Sequence, residues 1–204
     1  MRTHPIWEKF TVYEKIFQSQ GLIVAGTDEV GRGPLAGPVM AAAVILDLRE
    51  PLDGLDDSKR LTEKQRFVLY QQICERSPFV GVGAVGPRTI ERINILEAAR
   101  LAMRRAVSGL AITPQVVLSD AMRLPGAPYY TVDLIRGDQR SASVAAASVV
   151  AKVVRDRYME ELSLDFPQYG FSQHKGYPTP AHREALIAFG RSPAHRATFL
   201  HGPF

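Results

Sequence analysis

The sequence predicts an α/β protein built on a mixed sheet, and three observations predict it. Short stretches such as GLIVAGTD and PVMAAAVILD are apolar over nearly their whole length, as central strands covered on both faces are. Two long stretches return small and apolar residues every three or four positions, the period of a helix packed along one face. The two kinds of segment are interleaved along the chain, which is the order of an α/β sheet with helices on its faces.

Element by element, GLIVAGTD is the first strand and PVMAAAVILD the second. The EVGRGPLAG between them has the glycines and proline of a tight connection, so an antiparallel pairing is expected. LTEKQRFVLYQQIC is a helix, opened by Thr62 and Gln65 as a capping box and carrying Leu69 and Ile73 one turn apart. PFVGVGAVG reads as a third strand, whose glycines suggest close backbone packing. The helix that follows presents Leu96, Ala99, Met103, Ala106 and Leu110, with Gly109 near its end. PQVVLSD and YYTVDLI are the fourth and fifth strands, and SASVAAASVVAKVVRDRYMEEL is a long helix with Val150, Val154, Tyr158 and Leu162 near one face. A loop punctuated by proline and glycine, FPQYGFSQHKGYPTPAHREAL, leads into a short last helix that adds little expected core.

Composition narrows the function classes. A chain of 204 residues, 46% hydrophobic, has the size of one domain with a small C-terminal appendage. Its single cysteine, Cys74, forms no intrachain disulfide, no apolar run is long enough to cross a bilayer, and MRTHPIWEKF lacks the hydrophobic stretch of a signal peptide. A cytoplasmic protein is expected. The formal charge of +4 is modest, but Lys175, Arg183, Arg191 and Arg196 face only Glu184 in the last segment, which fits a polyanionic partner. The glycine-rich GRG stretch lacks both the GxGxxG of a dinucleotide fold and the GxxxxGK[ST] of a phosphate-binding loop, so a nucleotide cofactor is disfavoured.

The candidate chemistry lies in carboxylates at strand ends. Asp28 and Glu29 follow the first strand and Asp120 follows the fourth; if those strands are parallel neighbours, all emerge at one sheet edge. Asp138 lies just before the long helix and can join them. Asp28 taken alone is equally a solvated strand-end residue. Four carboxylates at one point repel unless a cation sits among them, and oxygen ligands select a hard ion such as magnesium or manganese. Zinc fits less well, because His174, His182, His195 and His201 show no short ligand pattern and read as ordinary surface residues. Two carboxylate-held ions suit in-line phosphoryl displacement. On the substrate side, Gly31, Arg32 and Gly33 allow close backbone approach with a cation, Ser58 and Lys59 lie in a loop before a helix, and Lys175 beside Tyr177 offers a charge and a flat ring to nucleic acid.

Together, AGTDEVGRGPLAGPV, DDSKRL, NILEAARLAMRRAV, VLSDA, RGDQRSASVAAASVVAKVVRDRYM and FPQYGFSQHKGYPT resemble bacterial ribonuclease HII, in order and over nearly the entire chain. The resemblance implies a ribonuclease H-like fold, a five-stranded mixed sheet flanked by helices plus a small helical C-terminal part. The expected boundaries are 1–165 for the catalytic domain and 166–204 for a substrate-binding segment packed on it. It also implies cleavage of the RNA strand of RNA/DNA hybrids and nicking of duplex DNA 5′ of an embedded ribonucleotide, with 3′-hydroxyl and 5′-phosphate ends. By motif position, Asp28, Glu29, Asp120 and Asp138 correspond to the metal-binding carboxylates, with two Mg2+ or Mn2+ ions expected with substrate. Gly31, Arg32 and Gly33 correspond to the segment that grips the 2′-hydroxyl and phosphate, Tyr177 to the tyrosine that senses the RNA-to-DNA junction, and Ser58 and Lys59 to a phosphate-contacting loop. SDA stands where VDG or IDG is common in the family, and no QxxLxxFF-like clamp-binding string is present. A monomer without an obligate protein partner is expected. The rival readings are a metal nuclease for other nucleic-acid structures and a non-catalytic binding module, against which the four carboxylates and the GRG and HKGY segments speak.

Overall fold

The computed structural model describes residues 5–55, 61–77 and 79–201. Its centre is a five-stranded sheet in the order β3-β2-β1-β4-β5. The strands are β1 (Val24–Val30), β2 (Val39–Val44), β3 (Val80–Val85), β4 (Val116–Asp120) and β5 (Tyr130–Leu134). β1, β2 and β3 form an antiparallel run, whereas β4 lies parallel to β1 and β5 parallel to β4. The expected mixed sheet is therefore present, with the predicted antiparallel β1–β2 pairing.

Seven α-helices are found among the described residues: α1 (Pro5–Phe10), α2 (Val12–Gln18), α3 (Glu63–Arg76), α4 (Pro87–Ser108), α5 (Ala142–Asp165), α6 (Phe171–His174) and α7 (Pro180–Phe189). α3 begins with the predicted capping box, Thr62 Oγ1 accepting from the Gln65 N–H while the Gln65 side chain meets the Thr62 N–H. Its Leu69 and Ile73 are buried.

Strand alternation sorts the core into two layers. Ala25, Ala41, Ala43 and Val117 point to one face and pack on Ala102 and Met103 of α4. Ala42 and Val44 point to the other and pack on Ala146 and Val150 of α5 and on Ile73 of α3. The glycines of β3 let α4 approach closely: a Cβ on Gly83 would stand 2.1 Å from the Ala102 carbonyl oxygen.

Two helical stripes differ from expectation. In α4, Ala99, Met103 and Ala106 are buried, but Leu96 is exposed. The reason is Asn94, whose backbone turns left-handed (φ 63°) and whose Oδ1 accepts from the N–H groups of Leu96 and Glu97. A fresh helix start resets the phase, so Leu96 leaves the stripe. In α5, Val150 is buried but Tyr158 is exposed, because residues 142–151 run between sheet and α3 while the later turns emerge beside the C-terminal segment.

That segment also holds more core than its sequence suggests. Tyr169, Phe171 and Ala185 are buried with Ala36 and Met159 in an apolar cluster of their own, and the Tyr169 and Phe171 rings stack at 5.4 Å. Its aromatics are thus chiefly packing residues.

Candidate active site

The carboxylates meet where β1 and β4 end. Thr27 pairs with Ser119 in the parallel ladder, so the next residues, Asp28 and Asp120, leave it side by side and on the same face. Glu29 follows on the opposite face. Asp28 is 7% exposed; its Oδ1 accepts from the Glu29 N–H at 2.8 Å, and its carboxylate is hydrogen-bonded to Ser148 of α5.

Asp120 Oδ1 accepts from the N–H of Gly137 at 2.7 Å. That bond ties the end of β4 to the 3-10 turn Gly137–Gln139, in which Asp138 is buried. Three of the predicted carboxylates therefore lie within one another's electric field, and the fourth sits in the turn that anchors Asp120.

Their electrostatics are those of crowded anions. Burial, then the charges of Glu29 and Asp120, push the Asp28 carboxyl well above its usual range, against a hydrogen bond from Ser148. Burial first, with Asp120 adding to it, raises Glu29 to about 7, while Arg32 pulls it down. Glu29 Oε2 is buried without a hydrogen-bond partner. Among the described residues, no three His, Cys, Asp or Glu side chains are drawn into a closed metal-binding group.

The Gly31–Gly33 loop starts directly after these acids. Arg32 Nη1 lies 3.4 Å from Glu29 Oε1, and its side chain is half exposed. Gly31 requires its residue type: its φ is 89°, and a Cβ there would fall 2.2 Å from Arg155 Nε. Gly33 is looser, its nearest neighbour being the Tyr177 ring at 3.9 Å from a Cβ position. Loop and tyrosine, remote in sequence, thus stand side by side.

Two buried arginines hold this arrangement, and sequence reasoning missed both as structural residues. Arg196 is fully buried; it donates from Nη2 to the Gly31 carbonyl (2.7 Å), from Nη1 to that of Arg32 (3.0 Å) and from Nε to that of Gly37 (2.9 Å). Arg155, equally buried, donates to the carbonyls of Pro38, Lys175 and Ala36. In a trans peptide the carbonyl and the next N–H point in opposite directions, so carbonyls of Gly31 and Arg32 turned in to Arg196 turn the N–H groups of Arg32 and Gly33 away from it. Successive N–H groups aimed the same way form an anion-binding concavity.

The other predicted substrate contacts fare differently. Tyr177 is 40% exposed, with the Arg155 guanidinium 6.0 Å from its ring centroid. Lys175 Nζ is engaged by Glu160 Oε1 and the Ser172 carbonyl, each at 2.6 Å. Ser58 and Lys59 lie outside the described residues. The basic tail is less basic at its surface than its sequence suggests, since Arg196 is buried and Lys175 is paired; Arg183 and Arg191 remain exposed.

Two of the histidines are not ordinary surface residues either, whereas His201 is exposed as expected. His182 and His195 are buried, with Nε2 atoms 3.0 Å apart. His182 Nδ1 donates to the Tyr177 carbonyl, so its Nε2 accepts from His195 Nε2–H, and His195 Nδ1 accepts from the Ser192 N–H. Burial, then His182, lowers His195 to about 4. The spacing of these residues gave no signal for the pair, which only the folded tail brings together.

A family model described as Ribonuclease HII matches residues 25–201. The chain belongs to the ribonuclease HII family. A ribonuclease HII from Vibrio vulnificus (strain YJ016) is 51% identical over 176 residues, covering 86% of this chain and 85% of that one. The ribonuclease H2 of Pyrococcus horikoshii OT3 superposes with a TM-score of 0.72 at 28% identity, covering 86% of this chain and 92% of that chain. The RNase HII of Archaeoglobus fulgidus, solved in complex with PCNA, gives a TM-score of 0.72 at 25% identity over 90% of this chain and 98% of that chain. The protein is accordingly a ribonuclease H, a hydrolase with the ribonuclease H-like fold the sequence predicts. No helix among the described residues is long and apolar enough to cross a membrane.

Proposed function

We propose that this ribonuclease HII cuts the RNA strand of RNA/DNA hybrids and nicks duplex DNA on the 5′ side of an embedded ribonucleotide, leaving 3′-hydroxyl and 5′-phosphate ends. The observation that carries the reading is the adjacency of buried, mutually repelling carboxylates to the Gly31–Gly33 loop and Tyr177. A phosphate backbone would be repelled by such acids unless cations intervened.

The donor set fits a hard divalent ion. Asp28, Glu29, Asp120 and Asp138 offer oxygens alone, and Glu29 Oε2 is a buried acceptor with nothing to accept from. These four would hold Mg2+ or Mn2+, two ions with substrate in place. Bound there, such ions supply Lewis acidity toward the phosphate and lower the pKa of water for in-line attack.

The chain's own residues then bind and orient. Arg32 and the N–H groups of Arg32 and Gly33 meet the phosphate and 2′-hydroxyl, the group by which a protein distinguishes RNA from DNA at one nucleotide. Tyr177 stacks at the deoxyribose that follows. Lys175 joins the phosphate only by exchanging Glu160 for it, and Ser58 and Lys59 supply a further backbone contact. In this reading residues 1–165 are the catalytic unit and 166–204 the substrate-binding segment, acting as a cytoplasmic monomer in ribonucleotide removal, with no obligate protein partner.

The test is Asp28→Asn assayed on an RNA/DNA hybrid with Mg2+ or Mn2+. Near-complete loss of cutting with the fold intact is expected, and full activity would contradict the assignment.

A further inference from the structure

Helix α2 precedes the matched residues 25–201, yet it places one carboxylate in the interior beside the candidate site. Glu14 is 1% exposed. Its Oε1 accepts from Ser141 Oγ at 2.6 Å, Ser143 Oγ at 2.7 Å and the Ser143 N–H at 2.9 Å. Ser141 is the N-cap of α5, its Oγ also meeting the Val144 N–H. The backbone N–H of Ser141 donates to the Gly137 carbonyl at 2.9 Å, and the N–H of Gly137 donates to Asp120 Oδ1. An unbroken run of hydrogen bonds therefore leads from Glu14 to Asp120 and encloses Asp138.

The residue before it grips the same turn from outside. Arg140 donates to the Tyr13 hydroxyl and lies 5.3 Å from the centroid of that ring. Docking alone does not call for a carboxylate here. Tyr13 and Phe17 of α2 already pack on Val24 and Leu118, and burying an anion costs several kcal/mol unless its bonds repay it. Glu14 Oε2 is buried without a hydrogen-bond partner, so all three donors converge on the other oxygen, at the first turn of α5 where a helix favours an anion.

We propose that Glu14 is a positioning residue that fixes the Gly137–Ser141 turn, and through it Asp120 and Asp138. The proposal rests on the reading that those two acids hold the metal ions. Gly31 and Arg32 are tied instead to Arg196, so substrate grip and carboxylate placement have separate supports.

The experiment compares full-length wild type, Glu14→Ala, Glu14→Gln and Asp138→Asn for fold by circular dichroism, for Mn2+ binding without substrate, and for turnover of a duplex with one ribonucleotide. Glu14→Ala is expected to weaken Mn2+ binding and lower kcat by about 10- to 100-fold, as loss of a group orienting metal ligands does. KM for the duplex is expected to stay within about threefold, because uniform substrate binding is untouched. Glu14→Gln keeps an oxygen for the three donors and is expected to recover most of both quantities. If Glu14→Ala does not fold, Ser143→Ala removes one donor and is expected to shift both quantities the same way, to a smaller extent; no shift in either would overturn the proposal. A folded Glu14→Ala with wild-type Mn2+ binding and kcat would overturn it, as would a loss confined to KM. Asp138→Asn separates the two levels: wild-type behaviour there sinks the metal reading itself, whereas loss there beside an unaffected Glu14→Ala sinks the proposal alone.

Discussion

Arg196 holds Gly31 by its carbonyl, 2.7 Å from Nη2, across 165 residues of sequence. With Arg32 and Gly37 held by the same guanidinium, one buried cation bonded to three backbone carbonyls shapes the loop of the candidate site. Burial and the charge of Arg155 lower Arg196 to about 9, so the cation persists at neutral pH. Arg196→Lys replaces a planar fork with a point donor and leaves buried carbonyls unpaired, each costing about 1–3 kcal/mol. The variant is expected to melt at lower temperature and to show a raised KM for a single-ribonucleotide duplex more than a lowered kcat. Unchanged melting and KM would remove Arg196 from this role.

Ala121 carries the backbone of a glycine. It follows Asp120 with φ 47°, its N–H bound to the Leu134 carbonyl, at the position where SDA replaces the family's VDG or IDG. A left-handed non-glycine residue costs about 1–2 kcal/mol. Ala121→Gly is expected to stabilise the protein by roughly 1 kcal/mol, less the entropy glycine gains when unfolded. A thermal melt that moves downward would contradict this.

Glu29 links metal and stability. Its carboxyl is raised from 4.5 to about 7, so the folded metal-free protein binds more protons than the unfolded chain between those values. That contribution to stability is full below pH 4.5 and is lost as pH rises through 7. Glu29→Gln is expected to stabilise the metal-free protein above pH 7, on the order of 2 kcal/mol, while impairing cleavage. Chemical denaturation at pH 8 measures it, and destabilisation there would count against buried repulsion.

The histidine pair has the opposite sign. His195 is lowered from 6.5 to about 4 by burial and by His182. Its contribution is complete above pH 6.5 and is lost as pH falls toward 4, because protonation at Nδ1 sets a new N–H against the Ser192 N–H that this nitrogen accepts from. An NMR titration of the His195 ring is expected to show a midpoint near 4; a midpoint near 6.5 would mean the ring is solvated.

The legible parts of the sequence were those with local causes. Unbroken apolar runs mark β1, β2 and β4, and their carboxylate ends place Asp28, Glu29 and Asp120 at one edge once β1 and β4 are parallel neighbours. Thr62 and Gln65 mark the start of α3 by their own chemistry. What stayed hidden depends on contacts between remote segments. An arginine in a sequence reads as surface, so Arg155 and Arg196 gave no sign that backbone carbonyls satisfy them. His182 and His195 were likewise unreadable as a pair, and Leu96 was misplaced because one left-handed asparagine resets its helix.

The measurement that tests the account most directly is a labelled DNA duplex with one ribonucleotide, incubated with the protein and Mg2+, Mn2+ or chelator, beside an all-DNA control. A metal-dependent nick immediately 5′ of the ribonucleotide, ending in a 3′-hydroxyl, is the predicted result. No cut by the folded protein with either metal, or a 2′,3′-cyclic phosphate end, would contradict it.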